Sequence, residues 1–115
     1  MGIDMTVQQH TIRGIQELGI LKLVSERAMY GYELIRVARD RTAGAFEWEE
    51  GTVYPCLHRL EAEGLIRSQW HLADNGRRRK YYYVAGKGAA RLHQQTIAWR
   101  GFCAAANAIL AEDAG

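Results

Sequence analysis

Residues 50–66 read EGTVYPCLHRLEAEGLI and carry the pattern of a short helix that ends at a glycine. One face of this segment is apolar and is predicted to be buried; it consists of Val53, Cys56, Leu57 and Leu60. Thr52 is a favourable N-cap, and Pro55 then falls in the first turn, where its missing N–H costs no hydrogen bond within the helix. Gly64 supplies the left-handed residue that commonly ends a helix.

The opposite face of this predicted helix is small, polar and partly basic. It is formed by Tyr54, Pro55, His58, Arg59 and Ala62. Alanine and proline have no core to fill on this face, but they permit the close approach of another surface. We therefore interpret this face as the part of the helix that meets a binding partner.

Two further helices are predicted upstream. Apolar residues recur at helical spacing in residues 11–25, where Gly14 and Gly19 weaken the helix and indicate close approach of another element. A second helix is predicted for residues 31–41, with Leu34, Val37 and Ala38 facing inward and Tyr32 on the opposite side. Residues 1–10 are predicted to be a flexible N-terminus, and residues 45–48 a short linker or strand.

A β-hairpin is predicted after the third helix, with strands over residues 65–72 and 77–84. Residues 73–76 read ADNG, residue types that tolerate a tight turn. Four consecutive basic residues begin the return strand, namely Arg77, Arg78, Arg79 and Lys80, and together they exceed the net charge of +2 of the whole chain. A block of this kind is often a solvated loop, so its meaning depends on its structural context.

The last helix is predicted over residues 87–111 and carries a heptad seam. The seam residues are Ala89, Leu92, Thr96, Trp99, Cys103, Ala106 and Leu110, and Phe102 and Ile109 extend the apolar surface to one side. Because no later element covers this seam, we expect a partner chain to cover it. The residues predicted to mediate dimerisation are Leu92, Trp99, Cys103, Ala106 and Leu110.

The element order predicts a mainly α-helical chain with a small β-hairpin, a winged helix-turn-helix followed by a dimerisation helix. Residues 11–85 would form the winged domain and residues 86–115 the dimerisation helix. In that fold the third helix enters the major groove of double-stranded DNA and the wing lies beside the adjacent minor groove or phosphates. The predicted DNA contacts are Tyr32, Thr52, Tyr54, Pro55, His58, Arg59, Arg77, Arg78, Arg79 and Lys80.

The chain resembles the PadR family of transcriptional regulators in three segments: residues 30–34, YGYEL; residues 50–66; and residues 76–83, GRRRKYYY. The resemblance runs from the first helix into the last. It implies a dimer held by the last helix, palindromic DNA sites, and repression that a small molecule relieves. The chain departs from the family at Ala85, where a capping threonine is common, and at His58, where the family often has another basic or polar residue.

The single C-terminal helix resembles the short, multidrug-sensing branch of this family, in which a tryptophan of that helix stacks on flat ligands. Trp99 stands at the corresponding point, with the small residues Thr96 and Cys103 one turn before and after it. These three residues are the predicted ligand site, and the effector would be a planar aromatic molecule. In the alternative interpretation Trp99 only fills the dimer core. Trp48 and Trp70 are predicted to pack within the winged domain.

Several classes of function are disfavoured by the sequence. No apolar run approaches the roughly 20 residues of a membrane span, and the N-terminal residues lack the apolar core of a signal peptide, so we expect a cytoplasmic protein. Cys56 and Cys103 form no CxxC pair, and His10, His58, His71 and His93 are scattered, so neither a disulfide nor a metal site is expected.

The sequence also contains no phosphate-binding loop, nucleophile elbow or catalytic triad, so we expect no enzyme and no cofactor. One alternative stays open, a winged helix that binds another protein and not DNA. Arg59 and the basic block favour DNA.

Overall fold

The structure, a computed structural model, describes the backbone of residues 5–112 and the side chains of residues 14–112. Its elements in chain order are α1 (Met5–Glu26), β1 (Met29–Tyr30), α2 (Gly31–Arg41), α3 (Glu50–Ala62), β2 (Ile66–Leu72), β3 (Arg78–Val84) and α4 (Gly86–Leu110). The predicted fold class is confirmed, since α1 to α3 are followed by a hairpin wing and a long last helix.

Helix α1 begins at Met5 rather than at residue 11. Residues 5–10, predicted to belong to a flexible N-terminus, are part of this helix, and residues 1–4 lie outside the described part of the chain. Gly14 and Gly19 predicted a weakened helix, but the helix propensity of single residues contributes less to helix stability than tertiary packing does. The bounds predicted for α2 are confirmed.

Helix α3 begins three residues earlier than an N-cap at Thr52 would place it. Glu49 is the N-cap residue, and its side chain makes no capping hydrogen bond. Its carbonyl oxygen accepts hydrogen bonds from the backbone N–H groups of Thr52 and Val53, at 3.0 and 2.9 Å. Thr52 is therefore not the N-cap, and Pro55 lies inside the helix, so the carbonyl of Gly51 lacks the N–H donor that another residue would supply. The predicted end is confirmed, since Gly64 follows the helix with a φ of 77°.

The sheet has three strands in the order β1-β3-β2, all antiparallel. The hairpin was predicted, but β1, which pairs Met29 with Tyr82 and Tyr30 with Tyr81, was not. Two residues are too few to show a strand period. Of the three consecutive tyrosines, Tyr82 is buried, so the aromatic strand contributes to the core.

The core lies where α1, α2 and α3 meet the inner face of the sheet. The predicted inner face of α3 is confirmed, with Val53, Cys56, Leu57 and Leu60 all buried. Trp48 packs onto α1 at Gly19, where an added Cβ would lie 2.7 Å from its Cη2 atom. Gly19 therefore marks a close approach, as its place in a helix indicated.

Helix α4 extends from the winged domain, and the chain measures 61 by 30 by 28 Å along its principal axes. The predicted heptad seam of α4 is partly covered within the chain, because α1 packs against α4. Leu92, Trp99 and Cys103 of the seam are only partly exposed. Ala85 provides no side-chain cap, as predicted. The apolar side chains of α4 that remain most exposed are Ile97, Phe102, Ile109 and Leu110.

None of the described helices is both long and apolar enough to cross a bilayer.

Candidate nucleic-acid interface and effector groove

The outward face of α3 is nearly free of large side chains. Gly51, Pro55, His58 and Ala62 are exposed along its centre, and His58 is the polar side chain among them. Tyr54 lies on the flank toward the wing, and Arg59 on the flank toward α1. The structure thus places Pro55 and His58 where the sequence predicted them, with a backbone that can lie close to a groove.

Tyr54 is held by the start of α2. Its ring lies against Gly31, where an added Cβ would meet the Tyr54 Cε1 atom at 2.6 Å. Burial raises the pKa of Tyr54, and the nearby carboxylate of Glu50 raises it further. The phenol is therefore protonated at neutral pH and can donate a hydrogen bond to a phosphate.

A cleft of about 380 Å³ separates α3 from the wing. Its lining includes five predicted DNA-contact residues, namely Tyr54, His58, Arg78, Arg79 and Lys80. Trp70 also lines the cleft and is 57% exposed, so the prediction that it packs within the winged domain is wrong. Only Ile66 at the start of β2 is buried, and the last four residues of the strand, which include Trp70, are exposed.

The basic residues of the wing differ in their contacts with other side chains of the protein. Arg78 stacks over Trp70 with 5.5 Å between the guanidinium carbon and the ring centroid, and Arg79 stacks over Tyr30 at 4.5 Å. Lys80 lies 3.6 Å from a carboxylate oxygen of Glu61, so part of its charge is neutralised. Arg77 and Arg78 are exposed and point their charge toward solvent.

Arg59 is placed differently from the prediction. Its Nε and Nη2 atoms both donate to Oε1 of Glu17 in α1, at 3.1 and 2.6 Å. These hydrogen bonds raise the pKa of Arg59, and the guanidinium is charged. The side chain is thus engaged within the protein, whereas the sequence predicted it among the DNA contacts.

Two other predicted contacts lie apart from the cleft. The Thr52 hydroxyl accepts a hydrogen bond from Nε2 of Gln16 at 2.9 Å, on the α1 flank of α3. Tyr32 is 50% exposed near the start of α2. Sequence reasoning missed Gln16 and Glu17, because polar side chains opposite the apolar residues Ile15 and Leu18 are ordinarily exposed to solvent.

Two hollows flank Trp99 where α4 crosses α1. One, of about 310 Å³, is lined by Gly14, Ile15, Leu18, Gln95, Ala98, Trp99 and Phe102. The other, of about 560 Å³, is lined by Ile15, Leu18, Gly19, Lys22, Phe46, Ala89, Leu92, His93, Thr96, Trp99 and Arg100. Trp99 also stacks on Phe102 with 5.7 Å between ring centroids. Of the predicted ligand set, Trp99 and Thr96 therefore line a common hollow, and Cys103 lies outside the lining of both.

Within the part of the chain that the structure describes, no three His, Cys, Asp or Glu side chains are grouped as metal ligands. His71 instead contacts the hydroxyl of Tyr83 at 2.7 Å. The described cysteines Cys56 and Cys103 are both unbridged.

A family model described as the transcriptional regulator PadR-like family matches residues 20–94. The chain belongs to the PadR-like family of transcriptional regulators. Transcriptional regulator Rv3488 of Mycobacterium tuberculosis is 34% identical over 80 residues, which cover 70% of this chain and 71% of that protein. An uncharacterized protein of Lysinibacillus sphaericus is 33% identical over 93 residues, which cover 81% of this chain and 85% of that one.

The fold agrees with this assignment. The structure of a PadR-like transcriptional regulator from Bacillus cereus matches with a TM-score of 0.78 and 29% identity, covering 90% of this chain and 99% of that one. PadR-like proteins are DNA-binding transcriptional regulators and not enzymes. The family thus decides between the two functions that the sequence left open, in favour of DNA binding over a protein-interaction module.

Proposed function

We propose that this PadR-like regulator is a cytoplasmic, homodimeric repressor that binds a palindromic operator and releases it when a planar aromatic effector occupies the groove beside Trp99. The observation that carries the effector part of this proposal is the unfilled space on both sides of Trp99, about 310 and 560 Å³. Concave and mostly apolar space of this kind is typical of small-molecule sites.

The dimer is supported by the apolar surface that α4 leaves uncovered. Phe102, Ile109 and Leu110 are 62%, 85% and 75% exposed, on the helix that also carries the seam. Contiguous exposed apolar surface of this kind marks an interaction site. A second copy fits best, since the two-fold pairing of identical helices buries the same strip on both chains.

Two-fold pairing also supports the palindromic operator. It would present two copies of α3, separated by about one DNA turn, roughly 34–36 Å. His58 and Pro55 would then face base edges in the major groove. Tyr54, Arg77, Arg78 and Arg79 would contact phosphates at the wing, while Thr52 and Tyr32 lie at the margin of the interface.

The groove beside Trp99 suits a flat molecule. Its lining includes the apolar side chains Ile15, Leu18, Leu92 and Phe46, and the basic side chains Lys22, His93 and Arg100 lie beside them. The Thr96 hydroxyl already donates to the carbonyl of Leu92 at 2.7 Å, so it adds little unmet polarity. Pockets with apolar walls and few polar groups bind planar aromatic compounds.

The Trp99→Ala substitution tests this proposal, with 1-aminoanthracene as a fluorescent planar probe. Wild-type protein should bind the probe and lose operator affinity in its presence, as gel shifts against the protein's own promoter region would show. Trp99→Ala should lose both responses while sedimentation still shows a dimer and unliganded protein still binds DNA. Trp70→Ala, which alters an exposed tryptophan far from the groove, should leave probe binding unchanged.

Two results would contradict the proposal. If Trp99→Ala dissociates into monomers, Trp99 is a packing residue of the dimer. If it binds the probe as tightly as wild type, the groove does not depend on Trp99.

A further inference from the structure

Helix α1 contacts the recognition helix α3 at two polar points. Gln16 is 7% exposed and donates from Nε2 to Oγ1 of Thr52 at 2.9 Å. Glu17 accepts both Nε and Nη2 of Arg59 on one oxygen, at 3.1 and 2.6 Å. Thr52 lies in the first turn of α3 and Arg59 near its end.

Two points of contact constrain a helix more than one does. Thr52 and Arg59 are separated by two turns, about 10 Å along the helix axis at 1.5 Å per residue. Both lie on the flank of α3 that faces α1, beside the exposed face with Pro55 and His58. The buried apolar face already holds α3 in the core, and these two contacts add a polar restraint on one flank. Breaking either contact would permit a small rotation of α3 about its axis, which moves His58 sideways.

The partners of this pair also differ from an ordinary surface ion pair. The Glu17 and Arg59 side chains are 21% and 39% exposed, so solvent screens them less than it screens fully exposed charges. Two guanidinium nitrogens on one carboxylate fix the orientation of the arginine as well as its position. The pair therefore holds a defined geometry between the two helices.

We propose that Gln16 and Glu17 are positioning residues for DNA recognition, which hold α3 in the rotation that presents His58 and Pro55 to the major groove. Arg59 then acts through Glu17 and not by contact with a base. The proposal rests on the proposed recognition of an operator by α3, and it is independent of the effector.

A direct role of Arg59 at the DNA makes the opposite prediction for Glu17. If Arg59 were a DNA contact that Glu17 competes for, removal of the carboxylate would free a cation and strengthen binding to every sequence. Each additional phosphate contact would also steepen the salt dependence by roughly 0.9 in the slope of log K against log salt concentration. The positioning role predicts weaker binding to the operator alone, with an unchanged slope.

The experiment compares fluorescence anisotropy titrations of an operator duplex from the protein's own promoter and a scrambled duplex, at several salt concentrations. In Glu17→Ala, the ratio of operator affinity to scrambled affinity should fall about tenfold, the size of one lost base contact. The charge-swapped Glu17→Arg/Arg59→Glu variant should recover most of this ratio, because it restores the ion pair. Thr52→Val, which removes the second contact with little change in volume, should lower the ratio by a smaller factor.

Glu26→Gln is the matched control. Glu26 is also on α1 and binds Arg41 with two hydrogen bonds of 3.0 and 2.7 Å, but this pair joins α1 to the end of α2 and not to α3. The ratio of operator affinity to scrambled affinity in Glu26→Gln should equal that of the wild type. Circular dichroism of each variant separates loss of positioning from loss of fold, and the charge swap tests the role even if the Glu17→Ala chain is unstable.

Operator binding by Glu17→Ala that is unchanged or tighter would overturn the positioning role, as would a charge swap no better than Glu17→Arg alone. Wild-type protein that binds both duplexes equally would contradict operator recognition itself and so overturn both proposals. If the wild type discriminates between the operator and scrambled duplexes and Glu17→Ala does so equally well, only the positioning role is overturned.

Discussion

The two flanks of helix α3 carry similar chemistry but use it differently. On the α1 flank, Arg59 and Thr52 are bound by Glu17 and Gln16 of the same chain. On the wing flank, Arg77 and Arg78 are exposed, and the cleft between α3 and the wing stays open beside them. Arginines that look equivalent in the sequence therefore divide into one that fixes the protein and others that remain available to DNA.

This difference shows that the number of basic residues in the sequence does not give the positive charge available to a ligand. The wing arginines stack on aromatic rings, which orient the guanidinium groups and leave their charge unneutralised. Arg59 is oriented by the carboxylate of Glu17, whose negative charge offsets the positive charge of the guanidinium. Replacing one residue at a time on each flank should separate these two roles.

The largest effect is expected from the wing. Replacing Arg77, Arg78 and Arg79 together with alanine should weaken binding to all sequences alike, on the order of a hundredfold, because charge-assisted contacts to phosphate are lost. The salt dependence should flatten by roughly 0.9 in slope for each lost phosphate contact. Arg100→Ala, which removes an exposed arginine of α4, serves as the control in the same titrations. An unchanged slope in the triple variant would remove the wing from the interface.

The next effect concerns Arg59. Arg59→Ala should lower operator discrimination by about tenfold without changing which bases are preferred, the loss expected for misplaced base contacts. Selection of preferred duplexes from a random pool measures this preference for both proteins. The effect of Glu17→Ala should add nothing in the double variant, since the two residues act as a unit. A changed preference at a single base position would show that Arg59 reads that base.

A smaller effect is expected from the hydroxyl of Tyr54. Tyr54→Phe keeps the ring against Gly31 but removes the donor, and the loss of one hydrogen bond to a phosphate should cost about 1–2 kcal/mol on every sequence. Tyr83→Phe removes a hydroxyl that binds His71 and should leave DNA affinity unchanged. Equal affinities for wild type and Tyr54→Phe would place this hydroxyl outside the DNA contact.

The smallest effect is expected at Glu26, whose ion pair has a similar shortest N–O distance, 2.7 Å against 2.6 Å for Glu17, but lies away from α3. The hydrogen bond from Arg41 lowers the pKa of Glu26, so the pair stabilises the fold above the ordinary pKa of a glutamate. This stabilisation is lost as the pH falls through the lowered pKa. Glu26→Gln should therefore lower stability only slightly in urea unfolding at pH 7, because exposed ion pairs contribute little to stability. A difference that persists undiminished below the lowered pKa would contradict the assignment.

Much of the fold follows from local patterns in the sequence. The apolar face of α3, the bounds of α2, the hairpin turn and the buried tyrosine each depend on spacing within a few residues. These signals predicted the winged helix and placed His58 and the wing cations on one side of the molecule.

The remaining features depend on contacts between distant residues. Glu17 and Arg59 are 42 positions apart, and nothing near either residue indicates the other. The two-residue strand β1 exists because β3 lies beside it. Trp70 looked like a core residue because of its type, but it lies on the exposed part of β2 and is 57% exposed.

The central claim, that a dimer presents α3 and the wing to DNA, is tested most directly by hydroxyl-radical footprinting of the protein's own promoter. The account predicts two protected patches related by two-fold symmetry and separated by about one helical turn, roughly 10 base pairs. The Arg77→Ala/Arg78→Ala/Arg79→Ala variant should lose the protection at the outer edges of both patches. A single protected patch at saturating protein, or none at low salt, would contradict the account.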